Sequence, residues 1–194
     1  MVSNFIFLLT FVKICEMKKL AKYALFALAV VSATACFNEK KVYNRSTVSE
    51  KHGKMLLGRQ TRDQLKQEPF NAWYEEEYNT YEYDPQTIKE LQKKNLTSHN
   101  IIVFFATWCG DSHREVPRLL KILDAVKYPE QRLTLVAVNR KKETPDGEDV
   151  PYNIKRVPTI IVQNKYGKEV GRIIESPNSG SLENDLLEIL NKSK

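Results

Sequence analysis

Residue types able to do covalent chemistry concentrate in one stretch of this 194-residue chain, Phe104-Phe105-Ala106-Thr107-Trp108-Cys109-Gly110-Asp111-Ser112-His113. The apolar run Ile101–Ala106 reads as a strand buried on both faces. Helical periodicity follows it, so Cys109 falls where a first helical turn begins. The first amides of a helix lack intrahelical partners, and the macrodipole adds positive potential there. A thiolate in that position is stabilised, so Cys109 is expected to be nucleophilic near neutral pH. Ser112, three residues on, is placed to donate its hydroxyl to the sulfur. His113, at i+4, shares the face of Cys109 and could assist proton transfer. Arg114 adds positive charge, and Asp111 works against it.

A lone thiolate can attack a substrate disulfide and form a mixed disulfide. Release then needs a second thiol. A small thiol would make the protein a monothiol reductase, the substrate's own cysteine an isomerase, and a partner's cysteine a relay. Oxidation to sulfenic acid would instead make the site a sensor. A chemistry-free alternative is a redox-inactive module that binds polypeptide at the same face. No metal site is expected on Cys109, because His113 is the nearby imidazole and closed sites need four ligands. His52 and His99 lie in polar stretches and are expected to be solvated, like Lys141-Lys142 and Glu148-Asp149. Phosphate loops, dinucleotide fingerprints and zinc-protease motifs are missing from the sequence, so no cofactor is expected.

The elements that must hold this stretch follow a regular alternation. Asp84-Pro85 is an N-cap followed by proline at the first helical position, with Ile88 and Leu91 on the apolar face of a helix reaching about Asn95. After the strand, Val116, Leu119, Leu120, Leu123 and Val126 form a helical stripe. Leu133–Val138 is a second buried strand, and a polar loop runs from Asn139 to Pro151. Thr159–Gln163 and Lys168–Ile174 make a hairpin across Asn164-Lys165-Tyr166-Gly167, before a last helix carrying Leu182, Leu186, Leu187, Ile189 and Leu190. The order predicts an α/β fold in which helices cover a central mixed sheet on both faces. Upstream, residues 61–84 carry a capping-box pattern, Thr61 to Gln64. They also hold an aromatic set: Phe70, Trp73, Tyr74, Tyr78, Tyr81 and Tyr83. Most of these fit one face of a helix, expected to pack onto the following domain or, alternatively, to offer a stacking or partner-binding surface. Residues 36–60 are polar, lack apolar periodicity and read as a tether.

FFATWCGDSHREVP resembles the active-site segment of thioredoxin-like proteins, in which a strand ends in Trp-Cys-Gly-x-Cys and opens a long helix. Pro117 sits where that family has its helix-kinking proline, and Arg156-Val157-Pro158-Thr159 matches its cis-proline loop. The resemblance covers about residues 85–194. It implies a thioredoxin-like three-layer fold with an N-terminal helical extension. It also implies a cis Val157–Pro158 bond facing Cys109, with Val157 backbone, Thr159 and Trp108 contacting substrate. Cys109, Ser112 and Pro158 would be the catalytic set. The departures matter as much: the family's second cysteine is Ser112 here, and its common buried acid is Val103. With one sulfur the domain cannot store two electrons as an internal disulfide. A glutaredoxin-like role shares the Cys-Gly-x-Ser pattern but lacks the adjacent glycines after the cis-proline strand.

The N-terminus reads as an address. Lys18, Lys19 and Lys22 precede an apolar run, Tyr23–Val31, and a small-residue site, Ala33-Thr34-Ala35. That run is too short to span a bilayer, which needs about 20 residues. Cys36 follows directly, so Ala33-Thr34-Ala35-Cys36 resembles a bacterial lipobox with Cys36 as the lipidated residue. Ordinary cleavage after Ala35 and an uncleaved anchor are the alternatives. Residues 1–35 are thus expected to be a signal peptide, with Met17 as the true start. The expected location is the periplasmic side of a bacterial envelope, with protein thiols or disulfides as partners. The formal charge is +6, much of it in the leader, which gives no case for nucleic-acid binding. Three cysteines are too few for a disulfide framework.

Overall fold

The computed structural model describes residues 42–49 and 53–192. The leader, Cys36 and His52 lie outside the described residues. Among the described residues, six strands form one mixed sheet in the order β1-β2-β4-β3-β5-β6, flanked by four α-helices. The strands are β1 Arg45–Ser49, β2 Gly53–Gln60, β3 Asn100–Phe105, β4 Leu133–Ala137, β5 Thr159–Gln163 and β6 Glu169–Ile174. The helices are α1 Asn71–Thr80, α2 Pro85–Lys93, α3 Gly110–Ala125 and α4 Leu182–Lys192.

β3 and β4 run parallel with Phe105 opposite Ala137, and β5 runs antiparallel to β3 with Thr159 opposite Phe104. The C-terminal ends of β3 and β4 and the start of β5 therefore meet at one end of the sheet. Side chains alternate across β3. Ile101, Val103 and Phe105 join a large core with residues of all four helices, including Tyr74, Ile88, Leu91, Leu119 and Leu186. Phe104 points the other way into a second cluster with Val136, Val138 and Ile161, closed by Tyr152, Ile154 and Val157.

Residues 45–49 and 53–60, expected to belong to a tether, are two strands. β1 pairs with β2, and β2 pairs with β4 at the heart of the sheet. Along β2 the buried positions are Leu56, Gly58 and Gln60, a period-two pattern in which two of three members are not apolar. A hydropathy reading misses such a strand. Gly58, opposite Ala137, has φ +70°, a conformation that only glycine adopts freely.

The Thr61–Gln64 capping box does not form. Thr61 gives no side-chain cap to the short 3-10 turn Arg62–Gln64, and its hydroxyl bonds to Asn44 instead. The aromatic set lies against the core: Phe70 and Tyr74 are buried, while Trp73, Tyr78, Tyr81 and Tyr83 pack partly exposed. Buried Glu183 accepts from the Tyr81 hydroxyl at 2.6 Å and from the Asp84 amide at 3.0 Å, which ties this segment to α4. Asp84 caps α2 as expected, accepting from the amides of Gln86 and Thr87. The helix ends two residues before the expected Asn95, which takes a left-handed conformation at φ 56°.

Candidate active site

Cys109 is the N-cap of α3, with extended backbone at φ −107° and ψ 121°. Its carbonyl accepts the first helical hydrogen bond, from the His113 amide at 3.0 Å. The side chain is half-buried and forms no disulfide. Its thiol donates to the carbonyl oxygen of Val157 at 3.2 Å. The Val157–Pro158 bond is cis. β3 delivers the sulfur and the start of β5 delivers the carbonyl, as their antiparallel pairing requires.

Ser112 does not hydrogen-bond to this sulfur. It is fully buried, and its hydroxyl oxygen accepts from the Ala106 amide at 3.1 Å. Ala106 follows the last residue of β3, so its amide has left the ladder and needs another acceptor. The first turn of α3 supplies one.

The His113 ring is held by partners other than Cys109. It stacks on Trp73 of α1, with centroids 4.4 Å apart and planes 7° apart. Its Nε2 lies 2.9 Å from the Thr107 carbonyl, which can only accept, so this nitrogen carries a hydrogen. Thr107 is held a second time, because its Oγ1 accepts from the Leu56 amide of β2 at 3.3 Å. The loop leading to Cys109 is therefore pinned by two segments upstream of residue 85. Arg114 pairs with Glu115 at 2.6 Å and Asp111 at 3.0 Å, so the two opposed charges expected to act on Cys109 are engaged with each other.

Trp108 is half-buried and its indole N–H donates to the Val138 carbonyl at 3.2 Å. The Arg140 guanidinium lies 5.2 Å from its ring centroid and the Lys142 ammonium 6.0 Å. Thr159 is buried, with its hydroxyl spent on the Arg156 carbonyl at 2.7 Å, so it buttresses the cis-proline loop and offers no side chain to a substrate. Pro117 lies inside α3 and is buried, leaving the His113 carbonyl without its usual i+4 donor. No group of three or more His, Cys, Asp or Glu side chains suited to a metal occurs among the described residues. No helix among them is long and apolar enough to cross a membrane.

Sequence reasoning missed Thr107, Trp73 as the partner of His113, and Arg140 with Lys142 at Trp108. A signal for the last pair was present. Trp108 and Arg140 each stand three residues beyond the ends of parallel, in-register strands, so they must emerge side by side.

A family model described as thioredoxin matches residues 59–182, more than half of the chain. The chain belongs to the thioredoxin family. Solved structures similar to this thioredoxin-family chain include a Pseudomonas aeruginosa protein of unknown function, 14% identical over 62% of this chain and 80% of that one, with a TM-score of 0.44. Mitochondrial thioredoxin 3 of Saccharomyces cerevisiae is 25% identical over 50% and 87% of the two chains, with a TM-score of 0.34. Fasciola hepatica thioredoxin is 21% identical over 55% and 89%, with a TM-score of 0.35. No curated protein matches the chain.

Proposed function

We propose that this thioredoxin-family protein performs monothiol thiol–disulfide exchange through Cys109, on protein thiols or disulfides of a bacterial envelope. The observation that carries the reading is the half-buried sulfur at the N-terminus of α3, 3.2 Å from the Val157 carbonyl beside a cis proline. In the exchange, the Cys109 sulfur attacks one sulfur of a substrate disulfide. A Cys109–substrate S–S bond forms, the substrate S–S bond breaks, and the second substrate sulfur leaves as a thiol carrying the proton lost by Cys109. An external thiol then attacks the substrate sulfur of that bond; a substrate–external thiol S–S bond forms, the Cys109–substrate bond breaks, and Cys109 leaves as a thiol carrying the proton lost by the external thiol. Ser112 supports the need for that external thiol, since an alcohol cannot resolve the intermediate and its oxygen is committed to Ala106. Trp108 and the Val157 backbone flank the sulfur where a substrate chain would lie.

Export and lipidation at Cys36 complete the proposal and rest on the leader sequence. Mixed-disulfide capture from envelope extracts tests the chemistry. Native protein should trap thiol-sensitive adducts that Cys109→Ala does not. Identical capture by both would leave the redox-inactive polypeptide-binding module as the reading. Labelled fatty-acid incorporation that survives Cys36→Ala would remove the anchor.

A further inference from the structure

Two segments next to the reactive stretch carry cations. One is the turn after β4, with Arg140, Lys141 and Lys142; Arg140 and Lys142 lie over the Trp108 ring within about the 6 Å reach of cation–π attraction. In the other, exposed Lys155 and Arg156 lead directly into Val157, whose carbonyl touches the sulfur. The turn is built to hold its shape. The Asn139 side chain accepts from the amides of Lys141 at 2.8 Å and Glu143 at 3.1 Å, and the Asn139 carbonyl accepts from Lys142 at 2.9 Å.

The carboxylates nearby are largely committed elsewhere. Asp111 pairs with Arg114, Asp146 with Arg45 and Glu148 with Arg59, and buried Asp149 accepts from Thr144. Glu143 sits in the turn itself, and Glu175 pairs with Arg156 across an exposed contact. Among the described residues, Lys141, Lys142 and Lys155 make no ion pair, so their charge is available to a ligand.

We propose that this basic collar selects acidic polypeptide: the disulfide taken by Cys109 is flanked by Asp or Glu residues that meet Lys141 and Lys142 of one segment and Lys155 of the other. The proposal rests on the exchange reading and names its substrate class. Like-charged lysines at a reactive sulfur attract anionic chains and repel cationic ones during encounter, so the discrimination acts on rate. The chemistry is unchanged. Cys109–SH and the substrate S–S exchange one bond, and no oxidant is consumed.

The test uses purified full-length protein and two synthetic peptides. Each carries one cysteine activated as a thionitrobenzoate mixed disulfide, flanked by Glu in one peptide and by Lys in the other. Release of thionitrobenzoate is followed against a Cys109→Ala background, which also corrects for other thiols. At low ionic strength the Glu peptide should react on the order of 10-fold faster. The ratio should fall toward unity in about 1 M salt, where the screening length is about 3 Å. Combined Lys141→Ser, Lys142→Ser and Lys155→Ser should abolish the preference, and Lys66→Ser with Lys93→Ser should leave it intact. Equal rates, or a preference indifferent to the three collar lysines, overturn the proposal. Should neither peptide exceed the Cys109→Ala background, the exchange reading fails, and tryptophan-fluorescence titration with Ser-for-Cys peptides decides the collar alone. Lysine-dependent binding of the acidic peptide supports the collar, and its absence overturns it.

Discussion

Replacing Ser112 by alanine separates two roles for one hydroxyl. If the oxygen served the sulfur, Ser112→Ala would change the reactivity of Cys109 and leave the fold largely intact. The structure assigns it to the Ala106 amide at 3.1 Å in a fully buried position. Its removal leaves a buried N–H without an acceptor, which costs about 1–3 kcal/mol. With a urea dependence of about 2 kcal/mol per molar, a mid-range loss of about 2 kcal/mol moves the unfolding midpoint down by about 1 M. Trp73 and Trp108 are the two tryptophans of the chain and both lie at the site, so fluorescence reports the transition directly. Alkylation of native Cys109 by a small uncharged reagent, run in parallel, should stay within about twofold of wild type. Ser112→Cys keeps a weak acceptor and should fall between the two proteins in stability. An unchanged midpoint together with markedly altered alkylation would refute the assignment and return the hydroxyl to the sulfur.

Trp73→Ala removes the ring stacked on His113 and should cost about 1–3 kcal/mol. Because His113 holds the Thr107 carbonyl, amide exchange at Thr107–Cys109 should quicken more than in the α4 helix; uniform quickening would count against the clamp. Gly171→Ala places a Cβ 2.8 Å from two carbons of Ile189, an overlap expected to cost about 1–3 kcal/mol. The double variant with Ile189→Ala should be less destabilised than the sum of the single changes. Burial, then the Asp124 hydrogen bond, pushes the Tyr78 phenol up to about 12. Burial raises Tyr81 and Tyr128 further, with the Glu183 bond adding at Tyr81. A phenol whose folded pKa lies above its unfolded value of about 10 holds its proton better when folded, so stability is full below pH 10 and falls as pH rises toward 12. Urea midpoints between pH 9 and pH 11.5 should show that decline, with a shallower slope in Tyr128→Phe.

What was legible in the sequence was whatever announces itself by local pattern. Ile101–Ala106 and Leu133–Val138 are runs of residues buried on both faces, and both are strands to within a residue. Asp84-Pro85 is a cap because its carboxylate can reach two free amides, and it does. β2 was hidden because a buried glycine and a buried glutamine carry its alternation, and Gln60 is tolerated there through its bonds to the Arg45 and Leu57 carbonyls. At the site, spacing alone placed Ser112 and His113 on the face of Cys109 but could not say which neighbour would claim their polar atoms. The claimants, the amide beyond β3 and the carbonyl of Thr107, are backbone groups left over where a strand ends. They leave no trace in residue identity. The resemblance puts Thr159 against substrate, and it does not reveal that the Arg156 carbonyl, at 2.7 Å, holds the hydroxyl.

Segments upstream of residue 85 are part of the site's support. Leu56 of β2 bonds the Thr107 hydroxyl, and Trp73 of α1 fixes the histidine that bonds the Thr107 carbonyl. Two restraints from separate elements converge on a residue two positions before the sulfur and hold the backbone that carries it. Under the proposed exchange, such fixation would keep the sulfur beside the Val157 carbonyl while an outside thiol is awaited. The bond to Ser112 works in the same direction by locking the first helical turn to the end of β3. Dithiol exchange asks the second position for a sulfur free to swing toward the first. A buried hydroxyl bonded to backbone supplies rigidity instead, which fits the proposed exchange through a single sulfur.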